Sequence, residues 1–236
     1  MEFDFNGPVL KVLLLIGAQS SHMNPRTELL PFPDGQLAFE HALSTIHYAV
    51  PSAPTIHIFL PNKCQQAAIQ FRLDDPAPLF VSNAPSSHDD DDDHRVSSPN
   101  LQVILDETGK DIGPVAGLLA AHSLHPDSKW LVLGCGYPLL PASALLQLIL
   151  EYRDPVTCFV DENGIVEPLI GIWSPEALEK LRESVEMGGS GLGELVGEVE
   201  GKLVRPLREE WIRGVRTMEE WEEVSKILRS GDDYGA

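Results

Sequence analysis

Residues 12–32 read VLLLIGAQSSHMNPRTELLPF, and this stretch decides the fold. The continuous apolar run 12–16 is typical of a strand buried on both faces of a sheet, and it ends at Gly17 before a helical period can begin. The sequence therefore predicts a loop at the carboxyl end of a core strand. In an open α/β sheet ligands bind at such loops, because small side chains and backbone N–H groups allow close approach to a phosphate or a base edge.

Two familiar phosphate-binding loops do not fit this stretch. A P-loop requires a lysine after its second glycine, and no lysine occurs between Lys11 and Lys63. The dinucleotide-binding fingerprint requires three spaced glycines, whereas this loop contains Gly17 alone.

The stretch instead resembles the signature of the molybdenum-cofactor guanylyltransferases and their MobA-like NTP-transferase relatives, L-x-G-G-x-S-S-R-M-G-x-x-K-x-L-L-P-F. The residues that follow this pattern in register are Gly17, Gln19, Ser20, Ser21, Met23, Leu29, Leu30, Pro31 and Phe32. The resemblance implies a nucleotide site, with GTP as the first candidate ligand. It assigns that site to Ile16, Gly17, Ala18, Gln19, Ser20, Ser21 and His22.

Several positions depart from the signature. The second glycine of the family is Ala18, its arginine is His22 and its third glycine is Asn24. Its lysine, which binds the triphosphate in the family, is Thr27. Arg26 lies one residue from that position and is a candidate catalytic residue, since it could reach phosphate from a rearranged loop.

A second block, residues 106–121, reads DETGKDIGPVAGLLAA. It resembles the family's strand ending in aspartate followed by a helix that starts G-P-L-A-G, and it adds Asp106, Gly113 and Gly117 to the implied nucleotide site. Gly113 and Pro114 are also a favourable helix start, with N–H groups that point outward. The alternative is an ordinary strand–turn–helix unit whose glycines allow close packing.

The third block, residues 130–140, reads WLVLGCGYPLL, where relatives read W-L-L-V-L-x-C-D-M-P-F-L. In the family the aspartate binds the Mg²⁺ that bridges the substrate phosphates, and Gly136 takes its place here. Residues 214–221, GVRTMEEW, stand where the family has N-x-N-T-P-x-D-L, whose first asparagine lies near the same ion. Both side-chain positions for metal binding are therefore empty, and Mg²⁺ would depend on other residues.

Other residues offer partial replacements for the missing groups. Asp106 is a candidate metal ligand and catalytic residue, and Asp111 or Asp161 could contribute from nearby loops. Cys135 is a candidate nucleophile, but no neighbouring base marks it, and a buried thiol at the end of a strand is the commoner explanation.

Composition limits the other function classes. The chain has 236 residues, 43% of them hydrophobic, and a net charge of −19. Acidic surfaces repel nucleic-acid backbones and anionic membranes, so neither is an expected partner. The three cysteines lack the spacing of zinc or redox sites, and no apolar run reaches the length of a membrane span. We therefore expect a cytoplasmic protein with reduced thiols.

Apolar patterns alternate between strand and helix along the chain. Strands are predicted at 12–16, 55–60, 101–105, 130–133, 156–160 and 167–172, and helices at 35–50, 62–72, 113–124, 143–152, from 175 and from 217 to 228. This alternation predicts an α/β fold, a three-layer α/β/α sandwich with a mainly parallel sheet. The resemblance specifies the nucleotide-diphospho-sugar transferase (MobA-like) type, in one domain over residues 1–229 with a flexible tail at 230–236.

Residues 74–99 interrupt the alternation with prolines, serine pairs and five consecutive aspartates at 89–93 between His88 and His94. This composition favours a disordered surface insertion. A metal site is the alternative, but a contiguous acidic run provides no defined geometry and its charges repel one another.

Three functional hypotheses follow. In the first, the protein is a degenerate member of the family that binds a nucleotide or a similar ligand and transfers it weakly or not at all. In the second, it is an active Mg²⁺-dependent nucleotidyltransferase that moves a guanylyl group from GTP to molybdopterin or a related acceptor. In the third, it is an interaction module with a protein partner, recruited by the acidic insertion.

Overall fold

A computed structural model of the protein describes residues 10–17, 26–74, 98–106, 112–189 and 191–230. Within these ranges, seven strands form a single sheet, numbered in chain order β1 to β7. Their bounds are Leu10–Leu15, Thr55–Leu60, Asn100–Leu105, Lys129–Gly134, Val156–Val160, Val166–Trp173 and Lys202–Val204. Their order across the sheet is β3-β2-β1-β4-β6-β5-β7, so β1 lies near the centre, as its apolar sequence predicts.

Seven α-helices, α1 to α7 in chain order, accompany these strands in the described ranges. They span Ala38–Ala49, Lys63–Asp74, Pro114–Leu124, Ala142–Glu151, Pro175–Glu186, Leu192–Glu198 and Met218–Ser230. Two short 3-10 helices cover Thr27–Leu29 and Glu209–Ile212. None of the helices in the described part of the chain has the length and apolar character that crossing a membrane requires.

The strands present alternate side chains to two separate cores. From β1, Val12 and Leu14 pack with the apolar faces of α1, α2 and α4, while Leu13 and Leu15 pack with α3, α5 and α6 on the other face. A third cluster, around Phe32 and Trp221, joins α7 to the segment after β1. The predicted three-layer α/β/α sandwich is confirmed.

Most strand pairs are parallel, and β6 is the exception. It runs antiparallel to β4 and β5, because a tight turn after β5 returns the chain directly. Asp161 stabilises this turn: its Oδ1 accepts hydrogen bonds from the N–H groups of Ile165 at 2.7 Å and Asn163 at 2.9 Å. Gly164, at φ +83°, supplies the left-handed conformation that the turn requires.

Several local signals are confirmed. Asn62 Oδ1 accepts a 3.0 Å hydrogen bond from the Gln65 N–H at the start of α2. Thr217 and Glu220 form the predicted capping box before α7, at 3.0 and 3.2 Å. The prediction missed α6, which begins at Leu192 within the glycine-rich residues 188–193, and β7, which follows α6. The acidic run 89–93 and the tail beyond residue 230 lie outside the described residues.

Candidate nucleotide-binding cleft

A cleft of about 560 Å³ opens at the carboxyl ends of β1, β2, β3 and β4. Strand ends, the start of α3 and the segment before α7 form its walls. Its lining residues are Leu15, Ile16, Gly17, Thr27, Phe59, Pro61, Asn62, Asp106, Gly113, Pro114, Ala116, Gly134, Cys135, Gly136, Tyr137, Leu169, Gly214, Val215 and Arg216. Parallel sheets place ligands at this edge because strand ends leave backbone groups unpaired there.

The structure brings together several residues predicted from separate blocks of sequence. Ile16, Gly17, Asp106 and Gly113 all line the cleft. The positions Ala18, Gln19, Ser20, Ser21 and His22 lie outside the described residues, as does Asp111. Gly117 is inside the described part of the chain but is not among the lining residues.

Gly17 has a backbone reason to be glycine. Its φ is +83°, and a Cβ there would lie 2.6 Å from the Gln65 Oε1 atom. Any side chain would be strained and would also displace the buried Gln65. This conformation turns the chain sharply where β1 meets the cleft.

Close packing explains why residue 117 is a glycine. A Cβ at Gly117 would lie 2.3 Å from Leu15 Cδ2 and 2.8 Å from the Phe59 ring. The residue therefore lets α3 pack closely on β1 and β2. For Gly117, this agrees with the alternative explanation of residues 106–121, in which the glycines serve close packing. The close packing positions the start of α3 at the cleft.

The start of α3 faces the cleft. Gly113 is its N-cap, with φ +57° and no side-chain capping bond, and Pro114 occupies the first turn. The unpaired N–H groups of a helix N-terminus carry partial positive charge and favour an anionic or electron-rich ligand.

The family positions for the phosphate lysine and the metal aspartate meet in the cleft as Thr27 and Gly136. A Cβ added at Gly136 would lie 3.9 Å from Thr27 Cγ2 and 3.6 Å from the carbonyl oxygen of Val215. These are ordinary contact distances, so a Cβ at Gly136 would fit without displacing its neighbours. The two positions are therefore brought together in the cleft, and neither carries a charged side chain.

Arg26 is engaged elsewhere in the structure. Its Nε lies 3.2 Å from Oε1 of Glu28, whose side chain is 2% exposed, and Arg26 is not among the lining residues. A buried carboxylate that loses its cation is costly, so moving Arg26 to a phosphate would leave Glu28 uncompensated.

Cys135 lines the cleft as a protonated thiol. Burial is the main cause that raises its pKa to about 12, and the nearby charge of Glu28 contributes in the same direction. A nucleophilic cysteine needs a thiolate, and this environment opposes it at neutral pH. These surroundings therefore favour a buried structural thiol at Cys135 over a nucleophile.

Tyr137 and Arg216, which the sequence analysis did not assign to the site, also line the cleft. The Tyr137 hydroxyl donates a 2.6 Å hydrogen bond to Glu167 Oε2, and burial is the first cause that raises the pKa of this phenol well above 10. A Cβ at Gly134 would lie 3.3 Å from the Tyr137 ring, and one at Gly214 would lie 3.5 Å from it. The ring therefore packs tightly against Gly134 and would make an ordinary contact with a Cβ at Gly214.

The residues of the cleft supply few metal ligands. Asp106 is the one carboxylate among the lining residues, and Asp161 instead caps the β5–β6 turn. Across the described ranges, no group of three or more His, Cys, Asp or Glu side chains could hold a metal ion. Mg²⁺ bound to a nucleotide is usually held by one or two carboxylates in addition to the phosphates, so Asp106 alone would supply the smallest number of protein ligands for it.

Comparisons with known proteins place this architecture among nucleotidyltransferases. The MobA-like NTP transferase domain model matches residues 12–202. A "Probable molybdenum cofactor guanylyltransferase" of Pyrococcus horikoshii is 34% identical over 101 residues, which are 42% of this chain and 50% of that relative. The chain thus spans about half the length of this curated relative.

Two further comparisons cover more of the molecule. A "Probable molybdenum cofactor guanylyltransferase" of Aquifex aeolicus is 25% identical over 143 residues, 61% of this chain and 69% of that relative. The crystal structure of molybdopterin-guanine dinucleotide biosynthesis protein A from Archaeoglobus fulgidus has a TM-score of 0.67 at 13% identity, covering 94% of this chain and 100% of that one. At that identity the likeness shows the fold, and the predicted fold type is confirmed.

Proposed function

Because the chain belongs to the family of MobA-like NTP transferase domains, we propose that it binds a nucleotide in the cleft and transfers its nucleotidyl group weakly or not at all. GTP is the first ligand to test, since two relatives carry the description of guanylyltransferases. The proposal separates two properties of the site: its shape, which favours binding, and its charge, which limits catalysis.

The pairing of Thr27 with Gly136 is the observation that carries this proposal. The two positions are neighbours in the cleft, because a Cβ at Gly136 would lie 3.9 Å from Thr27 Cγ2, and neither side chain carries a charge. Nucleotidyl transfer spreads negative charge over a pentavalent phosphorus, and cations directed at that charge supply much of the rate. A cleft without these groups can retain nucleotide affinity through its backbone while losing most transfer activity.

Binding would rest on groups that remain. The turn at Gly17 and the α3 N-terminus at Gly113 offer backbone N–H groups, and Asn62 and Asp106 offer polar side chains on the same wall. A guanine base or a ribose needs hydrogen bonds of this kind.

The second hypothesis, active guanylyl transfer with Mg²⁺, draws support from one observation. Asp106 and Arg216 line the same cleft, so one carboxylate and one cation are present, although neither stands at the position of the missing lysine or of the missing metal aspartate. The third hypothesis, an interaction module, requires no ligand in the cleft at all. A binding measurement and a turnover measurement together separate the three.

The binding measurement is calorimetric titration of GTP into the purified chain, with Gly136→Phe as the blocking variant. Phenylalanine at this position would extend into the space between Thr27 and Val215. Gly193→Phe is the matched control, because a Cβ at Gly193 meets nothing within 4 Å and the residue is exposed on α6. We expect GTP to bind to the wild type and the control but not to Gly136→Phe.

The turnover measurement follows pyrophosphate release from GTP and molybdopterin. We expect a rate roughly a thousandfold or more below that of an intact guanylyltransferase, because two charged groups are missing. Turnover at the ordinary rate would favour the active enzyme. Absence of GTP binding in the folded wild type would remove the proposed function and favour the interaction module.

A further inference from the structure

Arg216 lines the cleft, on the segment that leads into α7. Two hydrogen bonds fix its backbone. The Val215 N–H donates to the Gly136 carbonyl oxygen at 2.8 Å, and the Arg216 N–H donates to Glu220 Oε2 at 2.6 Å. The arginine is therefore held beside the position that lacks the family's metal-binding carboxylate.

The Arg216 side chain differs from two other arginines near the cleft in its ion pairing. Arg213, on the same segment, pairs with Glu223, and Arg26 pairs with Glu28. Arg216 is exposed and forms no ion pair with a carboxylate among the residues that the structure describes. Its guanidinium lies close enough to Tyr137 to act on that phenol electrostatically. Within the described lining residues it is the one lysine or arginine side chain.

The charge at the position of Gly136 can be compared between the family arrangement and this cleft. In the family arrangement, an aspartate of charge −1 and a Mg²⁺ of charge +2 leave +1 for the phosphates. Here Gly136 contributes no charge and Arg216 contributes +1, which equals the charge of the aspartate–metal pair without a metal, while the +1 of the family's lysine has no counterpart at Thr27. A guanidinium also donates two parallel hydrogen bonds to phosphate oxygens, which a point charge does not.

We propose that the cleft binds nucleotide phosphates through the Arg216 guanidinium without a divalent cation. This inference rests on the proposed nucleotide-binding function and specifies how that site neutralises phosphate charge. Its support is the missing carboxylate at Gly136, the anchored segment 214–216 and, among the described residues, a guanidinium without an ion pair and a lining with a single carboxylate. Two carboxylates near the arginine are engaged in other hydrogen bonds: Glu167 accepts from the Tyr137 hydroxyl, and Glu220 accepts from the backbone N–H groups of Arg216 and Thr217.

The experiment titrates GTP into the full chain, first with excess EDTA and then with Mg²⁺. We expect binding to be at least as tight in EDTA, since Mg²⁺ bound to the triphosphate competes with the guanidinium for the same oxygens. Arg216→Gln should weaken binding about tenfold or more in EDTA, because it removes a charge-assisted bidentate contact. Arg213→Gln is the matched control: it removes the same charge from the same segment, and screening should limit its effect to about twofold.

The outcomes distinguish this inference from the proposed function. Tighter binding with Mg²⁺ than with EDTA overturns the inference and leaves nucleotide binding intact. Equal losses of affinity in Arg216→Gln and Arg213→Gln also overturn it, because the effect would then be one of net charge. If the folded wild type binds no GTP under either condition, the proposed function fails and this inference fails with it.

Discussion

The N–H of Val215 and the carbonyl oxygen of Gly136 are joined by a 2.8 Å hydrogen bond. This bond connects the loop after β4 to the segment before α7, so one wall of the cleft consists of two stretches that are distant in sequence. Thr27, from the segment after β1, adjoins this wall, because a Cβ at Gly136 would lie 3.9 Å from its Cγ2 atom. The hydrogen bond holds Arg216 beside Gly136, and we expect substitutions in either stretch to change the cleft.

The first prediction concerns the double variant Thr27→Lys/Gly136→Asp. It places the family's phosphate cation and metal carboxylate at positions that the structure brings together, with room for a side chain at Gly136. We expect GTP affinity to rise and to become Mg²⁺-dependent, each added group contributing on the order of 1 kcal/mol or more. Calorimetry of GTP with and without Mg²⁺ measures this change.

The single variants are the controls for that prediction. Thr27→Lys alone should improve affinity less, and Gly136→Asp alone should weaken binding in EDTA, because an aspartate without its metal repels the triphosphate. A folded double variant that binds no better than the wild type would show that the pocket does not hold phosphate at this position.

The second prediction concerns packing at Gly117. Gly117→Ala introduces a Cβ 2.3 Å from Leu15 Cδ2, and we expect it to lower the free energy of unfolding by about 1–3 kcal/mol. The control is Gly197→Ala in α6, where a Cβ meets nothing within 4 Å. That change should be neutral or stabilising by roughly 0.5–1 kcal/mol, because alanine has the higher helix propensity. Urea denaturation of both variants measures the difference, and equal stabilities would contradict the packing explanation.

The third prediction concerns the three thiols. Cys64 is exposed, whereas Cys135 and Cys158 are buried with pKa values raised to about 12, chiefly by desolvation. A thiol reagent at pH 8 should therefore modify Cys64 rapidly in the native protein and the other two only after unfolding. Rapid native-state modification of Cys135, mapped by mass spectrometry, would revive the nucleophile hypothesis.

The same two thiols predict a loss of stability in alkali. Between about pH 9 and 12 the unfolded chain releases these protons while the folded chain retains them, so the free energy of unfolding falls as pH rises. The urea midpoint should therefore decrease steadily above pH 9. In Cys158→Ala this decrease should be smaller, and an unchanged slope would show that Cys158 does not contribute.

The fourth prediction concerns acid. The ring of His41 stacks on Phe32 with centroids 4.4 Å apart, and burial lowers its pKa to about 4, with Asp34 opposing the shift. Below pH 6.5 His41 binds a proton in the unfolded chain but stays neutral in the folded chain. The free energy of unfolding therefore decreases as pH falls from 6.5 toward 4.

Urea titrations at pH 7 and pH 5 test the acid prediction. His41→Phe keeps an aromatic ring against Phe32 and removes the titrating group, so its stability should depend less on pH in this range. Some dependence should remain, because burial also lowers the pKa values of His47 and His57. An unchanged dependence in the variant would assign the effect to these other histidines.

The sequence by itself determined the parts of this protein that depend on neighbouring residues. The apolar run of β1 with its abrupt end, the Asn62 cap and the Thr217–Glu220 capping box follow from hydrophobic period and local hydrogen bonding, and all are confirmed. The family signature likewise placed Gly17, Asp106 and Gly113 at one site, because the carboxyl ends of parallel strands share one edge of the sheet.

Only the tertiary structure decided which charges share the cleft. Arg26 is next to the lysine position in sequence but pairs with the buried Glu28, and Asp161 serves a turn. Arg216 reaches the site because strand order and the Val215–Gly136 hydrogen bond bring its segment alongside β4. Local patterns reflect energies between neighbouring residues, whereas the composition of a cleft depends on long-range packing that no single stretch of sequence encodes.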